Sequence, residues 1–496
     1  MNPLAFTKCA ARLLMALAAI AGLFLMAGCG SSSSLIKTLG GGFSTSSLKG
    51  QYVVRQTGFA VNSAGTSVDS FSEVTVLTAD GSGNLTILED DFDQDGVQST
   101  GSDTGTYTVN NDGTGSAAFK TIGTTYAITM IDDRHFYVIE TDAGVATSSG
   151  YGQLQDTTAF AAAPSGTFVF KAHNVQTTSR VGGITIAGGV ISGTEDLLDL
   201  GRLSNNQAIN SATPMSTPDS TIGRGTFTLT DGSSFGYYVV SASEFYFMSN
   251  TTTDEIGQAQ LQTGGPFSLA TLASGNAYVF GSAGDTTISG PAGIHSAGVF
   301  KPDGNGNITG GEVDYVQDTT VNSGDAVTGG QYTLASNGRG QVNLTLSSNT
   351  ISPQIFWMVD ANDAYFLVNS TAAVEDGTFT LQVPAPALSA QGQSALVMDG
   401  FDTTLKDRVG VFADTSSTAF NWNQVANAFD PTSGTGQITT IGTTGTFSAA
   451  DSNGRVAVTV NNVSSALAFY LSSNNSGFMV QEDANIGGAF ASQASQ

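Results

Sequence analysis

Gly105-Thr106-Tyr107-Thr108-Val109 is a compact strand signature, a glycine followed by threonine alternating with large apolar side chains. It returns as Gly225-Thr226-Phe227-Thr228-Leu229, as Gly330-Gln331-Tyr332-Thr333-Leu334 and as Gly445-Thr446-Phe447-Ser448-Ala449, about 105–120 residues apart. Two other landmarks travel with it. An opening motif stands at Gly50-Gln51-Tyr52-Val53-Val54 and Gly166-Thr167-Phe168-Val169-Phe170, and more loosely at Gly275 to Phe280 and Gly392 to Met398. A late apolar run recurs as Phe136-Tyr137-Val138-Ile139, Phe245-Tyr246-Phe247-Met248, Tyr365-Phe366-Leu367-Val368 and Phe478-Met479-Val480. Three landmarks in the same order, four times, define a tandem repeat. Its period is too long for a solenoid unit and matches a small independent domain.

Inside a unit the hydrophobic period is two, and Tyr, Val, Thr and Ile dominate, so the elements are half-buried strands. Turn signals such as Asp80-Gly81, Asn111-Asp112-Gly113, Asp303-Gly304-Asn305-Gly306, Asn337-Gly338 and Asn453-Gly454 separate them and accommodate the positive φ angles of short hairpins. The first unit reads as eight strands at 51–59, 70–79, 83–90, 103–109, 115–120, 124–131, 135–141 and 148–155. Eight sequential strands with tight turns form a meander, which protects its edges by closing on itself. The expected fold class is all-β: four tandem antiparallel up-and-down, lipocalin-like eight-stranded barrels. A β-sandwich is the alternative, disfavoured because it needs long crossovers. The early Gly-x-aromatic and the meander resemble the lipocalin and calycin group, with Tyr or Phe where that family usually has Trp. The repeat as a whole resembles bacterial tandem-repeat lipoproteins of unknown function, a resemblance that implies no activity.

Composition narrows the class. Charged residues are 11% of the chain, against roughly 25% in an average globular protein. A hydrophobic content of 40% excludes an acidic disordered chain, and 61 glycines without a triplet period exclude collagen. The net charge of −25 repels nucleic acid and anionic head groups, leaving neutral, cationic or metallic partners.

At the start, Lys8 and Arg12 precede an apolar run from Leu13 to Met26, and Leu25-Met26-Ala27-Gly28-Cys29 closes it. This reads as a signal peptide, its apolar run short of the roughly 20 residues of a spanning helix. The stretch resembles the lipobox of bacterial lipoproteins. That resemblance implies cleavage between Gly28 and Cys29, diacylglycerol on the Cys29 thiol, acylation of the new amino terminus and, with Gly30 following, export to the outer membrane, facing the periplasm or the cell surface. Acyl chains at about 0.8 kcal/mol per methylene hold a protein on a membrane durably. Cys9 leaves with the leader, so the mature chain has no disulfide. The expected organisation is 1–28 signal peptide, 29–47 flexible Ser/Gly stalk, and β repeats at 48–160, 165–263, 269–383 and 388–493. Short Pro-containing junctions predict a compact string of beads.

Candidate chemistry is sparse. Asp91, Asp93 and Asp95, with Gly96, have the alternate spacing of a calcium loop, but Ser102 replaces the closing Glu and no helix flanks it. An acidic solvated hairpin tip is the simpler reading, so the expected cofactor is none, with a structural calcium ion the alternative. His135, His173 and His295 fall in different units and read as strand or surface residues without zinc partners. Gly232-Ser233-Ser234-Phe235-Gly236 has Gly-x-Ser-x-Gly form but continues into a strand instead of a helix. Trp357 and Trp422 read as barrel core, or as the lining of a sugar-stacking face. With no convergent acid, base and nucleophile, no catalytic residue is expected. The expected role is a non-catalytic envelope lipoprotein whose repeats bind a small apolar ligand, a glycan or a protein. A spacer role and, last, a hydrolase are the alternatives.

Overall fold

The computed structural model describes residues 42–494, apart from 63–66, 95, 143, 175–176, 252, 287–292, 318–319, 349–350, 352, 372, 390, 402–403, 431–432 and 462–465. Gly28 and Cys29 therefore lie outside the described residues.

The repeat folds as four closed antiparallel barrels of eight strands each, every strand paired with its sequence neighbours and the last with the first. Barrel I comprises β1 (Lys49–Val61), β2 (Val68–Asp80), β3 (Asn84–Gln94), β4 (Val97–Val109), β5 (Thr114–Phe119), β6 (Thr125–Met130), β7 (His135–Glu140) and β8 (Ala146–Leu154). Barrel II runs from β9 (Gly166–His173) to β16 (Ile256–Leu261), barrel III from β17 (Tyr278–Thr286) to β24 (Ala373–Leu381), and barrel IV from β25 (Gln393–Phe401) to β32 (Asn485–Ser492). The meander is thus present in every unit, and the sandwich alternative is excluded.

The signature glycine has a steric reason. A Cβ at Gly225 would lie 2.4 Å from the Tyr237 ring, one at Gly330 2.1 Å from the Asn343 carbonyl, and one at Gly445 2.3 Å from the Phe420 ring. The neighbouring strand approaches too closely for any side chain there. The signature aromatic ties down the entry segment: the Tyr107 hydroxyl donates to the carbonyls of Leu48 (2.5 Å) and Thr45 (3.0 Å), and that of Tyr332 to Leu269 (2.9 Å). Each of these segments is a 3-10 turn that plugs one barrel mouth, Thr45–Ser47 in barrel I and Leu269–Thr271 in barrel III. Phe43, at the end of the segment read as stalk, is 5% exposed and belongs to the barrel I core.

The barrel interiors are full. Rows of inward Phe, Tyr, Leu, Ile and Val form one cluster per barrel, as small eight-stranded barrels permit. Inside barrel II the remaining space is about 30 Å³, room for about one water molecule. Trp422 lies in the barrel IV core. Trp357 does not: it faces outward from barrel III into an apolar contact with barrel II.

Candidate functional site

The barrels form a closed ring instead of a string of beads. The second strand of barrel I lies against the seventh of barrel II, and the second strands of barrels II, III and IV each meet the sixth, seventh and eighth of the next barrel, barrel IV returning to barrel I. This is one head-to-tail contact used four times, with a rotation that closes.

Three of the four seams carry the same clamp. Asp91 accepts from Arg224 Nε at 2.7 Å and from the Tyr238 hydroxyl. Asp196 accepts from Arg339 Nε (2.8 Å) and Nη2 (2.6 Å) and from Trp357 Nε1 (3.0 Å). Asp314 accepts from Arg455 Nε (2.6 Å) and Nη2 (2.9 Å) and from the Tyr470 hydroxyl. Each clamp takes its carboxylate from the third strand of one barrel, and its arginine and aromatic partner, directly paired across two strands, from the next. Burial pushes the Asp314 carboxyl up, but the Arg455 guanidinium more than reverses this and holds it below its usual value. At Asp91 burial outweighs Arg224 and the carboxyl is raised.

A second repeated contact appears in all four seams. After each eighth strand a glutamine side chain donates to two backbone carbonyls of the next barrel: Gln155 to Ile222 and Val239, Gln262 to Asn337 and Met358, Gln382 to Asn453 and Leu471, Gln493 to Asp112 and Met130. The following amide donates as well, from Asp156, Thr263, Val383 and Ala494 to Val240, Val359, Ser472 and Ile131.

The fourth seam lacks the clamp. Register places Val425 opposite Val409 where Asp91, Asp196 and Asp314 stand opposite Val74, Val181 and Ala297. Thr114 and Thr129 occupy the arginine and aromatic positions. The contact is instead apolar, built from Ala127, Ile131, Tyr137, Ile139, Ala395 and Val409. It is edged by Asn427 Nδ2 donating to the carbonyls of Glu140 (2.9 Å) and Ala146 (2.8 Å) and by the Thr147 hydroxyl on Asp407.

The ring surrounds a partly open cavity of about 640 Å³ to which all four barrels contribute, mainly through their first and eighth strands. Its walls mix ring faces, amides and charges. From barrel I come Arg55, Tyr151 and Gln153, from barrel II Lys171, His173, Glu244, Tyr246 and Gln258. Barrel III supplies Asp376 and His295, and barrel IV Asp399, Asp407 and Phe401. One cluster of these charges is paired. Asp376 holds Lys171 Nζ at 2.9 Å and His173 Nδ1 at 3.1 Å, and burial notwithstanding, these two neighbours, Lys171 first, depress its carboxyl far below the usual range. Arg55 lies 5.2 Å from the Tyr246 ring centre, and its Nε has no hydrogen-bond partner among the described residues. Burial, then the neighbouring Asp399, pushes Asp407 up to about 8, and burial lowers His295. The Gln258 amide reaches the Tyr365 hydroxyl at 2.8 Å across the second seam.

The residues singled out in the sequence are dispersed. Asp91 and Asp93 lie on β3, 5% and 0% exposed, so this end of the hairpin is not a solvated tip: it packs against barrel II, where Asp91 meets Arg224. Asp95 lies outside the described residues. Among the described residues no three His, Cys, Asp or Glu are grouped to hold a metal ion. His135 pairs with Asp132 at 2.9 Å, away from the other two, while His173 and His295 meet at the cavity. Ser234 begins a strand after the Asp231-Gly232 turn, with no helix following. The cavity and the clamp arginines were not read from the sequence. The signal for the clamp was present, since Gly223-Arg224, Gly338-Arg339 and Gly454-Arg455 share one position of the repeat.

No family model matches the chain, and no curated protein matches it. Among solved structures it is similar to transferrin-binding protein B from serogroup B Neisseria meningitidis at 9% identity, over 68% of this chain and 77% of that one, with a TM-score of 0.20. A double mutant of transferrin-binding protein B from Haemophilus parasuis is similar at 8% identity, over 67% and 76%, with a TM-score of 0.18. At such scores the chains do not superpose as wholes, and neither arrangement nor function transfers.

Proposed function

We propose that the protein is a non-catalytic lipoprotein of the cell envelope, held at the outer membrane through acylated Cys29, whose four barrels together bind one polar ligand, a glycan, in the central cavity. The observation that carries this reading is that a space of ligand size lies between the barrels, while each barrel has its own apolar core and barrel II keeps only about 30 Å³ inside. Its volume is within the range of small-molecule sites. Tyr151 offers a ring face to sugar C–H groups, while Gln153, Gln258 and the carboxylates offer paired acceptors and donors. The Lys171–Asp376 ion pair, with Glu244 in electrostatic reach of Arg55, suits a neutral ligand better than an ion. An apolar ligand inside a barrel has no room, and a spacer gains no reach from a ring whose first and last barrels touch. The histidines face Asp132, Asp376 and Asp399 rather than a hydroxyl nucleophile, which supports a binding role over hydrolysis.

A glycan array probed with the mature protein tests the proposal. A hit whose affinity falls at least tenfold in Tyr151→Ala and in Gln153→Ala, with the melting temperature retained, supports it. No hit, or a hit indifferent to both substitutions, refutes it.

A further inference from the structure

The four seams share one geometry but not one chemistry, and the difference falls on the seam between barrels IV and I. A buried ion pair is not by itself a stronger joint than an apolar patch. Two other features set the fourth seam apart. Separating a clamped seam strands Asp196 or Asp314, whose side chains are 0% and 1% exposed, and their arginine partners without each other. Among the described residues, separating the fourth breaks amide and hydroxyl hydrogen bonds to carbonyls and to the Asp112, Asp399 and Asp407 carboxyls, but no arginine clamp, together with a modest apolar patch. Barrels I and II, II and III, and III and IV are also joined by connectors of 11, 16 and 11 residues, which keep the partners at high effective concentration. Barrels IV and I are not consecutive, and among the described residues they are tied by the seam itself and the Gln493 and Ala494 contacts.

The inner edge of this seam is cavity wall. Thr147 and Ser149 of barrel I meet Asp407 and Asp399 of barrel IV there, Ser149 Oγ lying 3.2 Å from Asp399 Oδ2. We propose that the ring opens and closes at the fourth seam, hinging on the three clamped ones, with Gln493 and Ala494 as its latch, and that this movement widens the central cavity, part of whose wall the seam forms. The opening stands whether or not the occupant is a glycan.

The signature supplies matched reporter positions, since Thr106, Thr226, Gln331 and Thr446 occupy one site of the repeat and are all exposed. Pairs of spin labels on cysteines at these sites, in the full chain with Cys9 and Cys29 replaced by serine, read the distance across each seam. Thr106→Cys with Thr446→Cys is expected to give a distribution at least twice as wide as the three other adjacent pairs. Equal widths across all four seams, or the greatest width at a clamped seam, overturns the proposal. Adding Thr114→Arg with Val425→Asp supplies the missing clamp and is expected to narrow the fourth distribution to match the rest. If that variant does not fold, the comparison of the four pairs in the otherwise native chain still decides.

Discussion

Arg339 joins two barrels through two parallel hydrogen bonds to a carboxylate with no exposure of its own. Replacing it by Gln leaves Asp196 with only the Trp357 indole and one backbone amide as named donors, and removing one partner of a buried pair costs roughly 3–5 kcal/mol. Arg339→Gln should therefore lower the melting temperature, and Asp196→Asn in the same chain should restore much of the loss, because no charge is then stranded. A double-mutant cycle by calorimetry measures this, and additive losses would show that the pair is not coupled. Asp407 works in the opposite sense. Its carboxyl sits at about 8 in the folded ring against an ordinary 3.8, so below pH 4 it is protonated in both states and its contribution is complete. As pH rises from 4 to 8 the opened or unfolded chain gives up the proton and the closed ring does not, which removes up to about 1.4 kcal/mol per pH unit. Above about pH 8 the loss is finished. Asp407→Asn should flatten the fall in urea midpoint between pH 5 and pH 8, and an unchanged slope would assign that fall to other groups.

At the scale of elements, the glutamine after each eighth strand is the smallest repeated joint. Each side chain satisfies two buried carbonyls of the next barrel, so Gln382→Ala should cost about 1–3 kcal/mol. Gln493→Ala should act locally, raising deuterium uptake around Met130 and Ile131 without changing it around Leu471 and Ser472. Uptake rising at both would mean that the seams do not open independently. The strands themselves were legible because half-buried strands write their period into the chain: all eight of barrel I were anticipated, from Tyr52 to Leu154. Two ends were not. β3 continues to Gln94 and β4 begins at Val97, where an acidic loop was expected, because Asp90-Asp91-Phe92-Asp93 reads as solvated when taken alone. Its neutralising partner, Arg224, is 133 residues away, and local pattern carries no information about a contact of that separation. Trp357 was misjudged for the same reason, since an outward aromatic at a seam has the same period as an inward one in a core. The cavity is a further step removed, built from residues of four units that share no sequence motif.

For the molecule as a whole, the fourth contact repeats the geometry of the other three although no chain joins barrel IV to barrel I. The equivalence extends to the connecting residues. Thr263 docks on barrel III as Ala494 docks on barrel I, and Phe267 enters barrel III with its amide on the Ser336 carbonyl (3.0 Å) as Phe43 enters barrel I on Asn111 (3.2 Å). Between Thr263 and Phe267 the chain reads Gly264-Gly265-Pro266. A circular permutant that opens the chain at this junction and joins Ala494 to Phe43 through the same three residues should therefore rebuild the ring, with an unchanged hydrodynamic radius and cavity. The clamp of Arg339 on Asp196 then has to hold a seam that no longer has a covalent tether, while the unclamped seam gains one. If the difference between the seams arises from the clamp, the permutant should be the more rigid ring, with a melting temperature at or above that of the parent. If it arises mainly from the tether, the permutant's loosest seam should move to barrels II and III. An expanded permutant in small-angle scattering would instead show that barrels IV and I do not share the geometry of their neighbours, and that the four-barrel ring is not closed in solution.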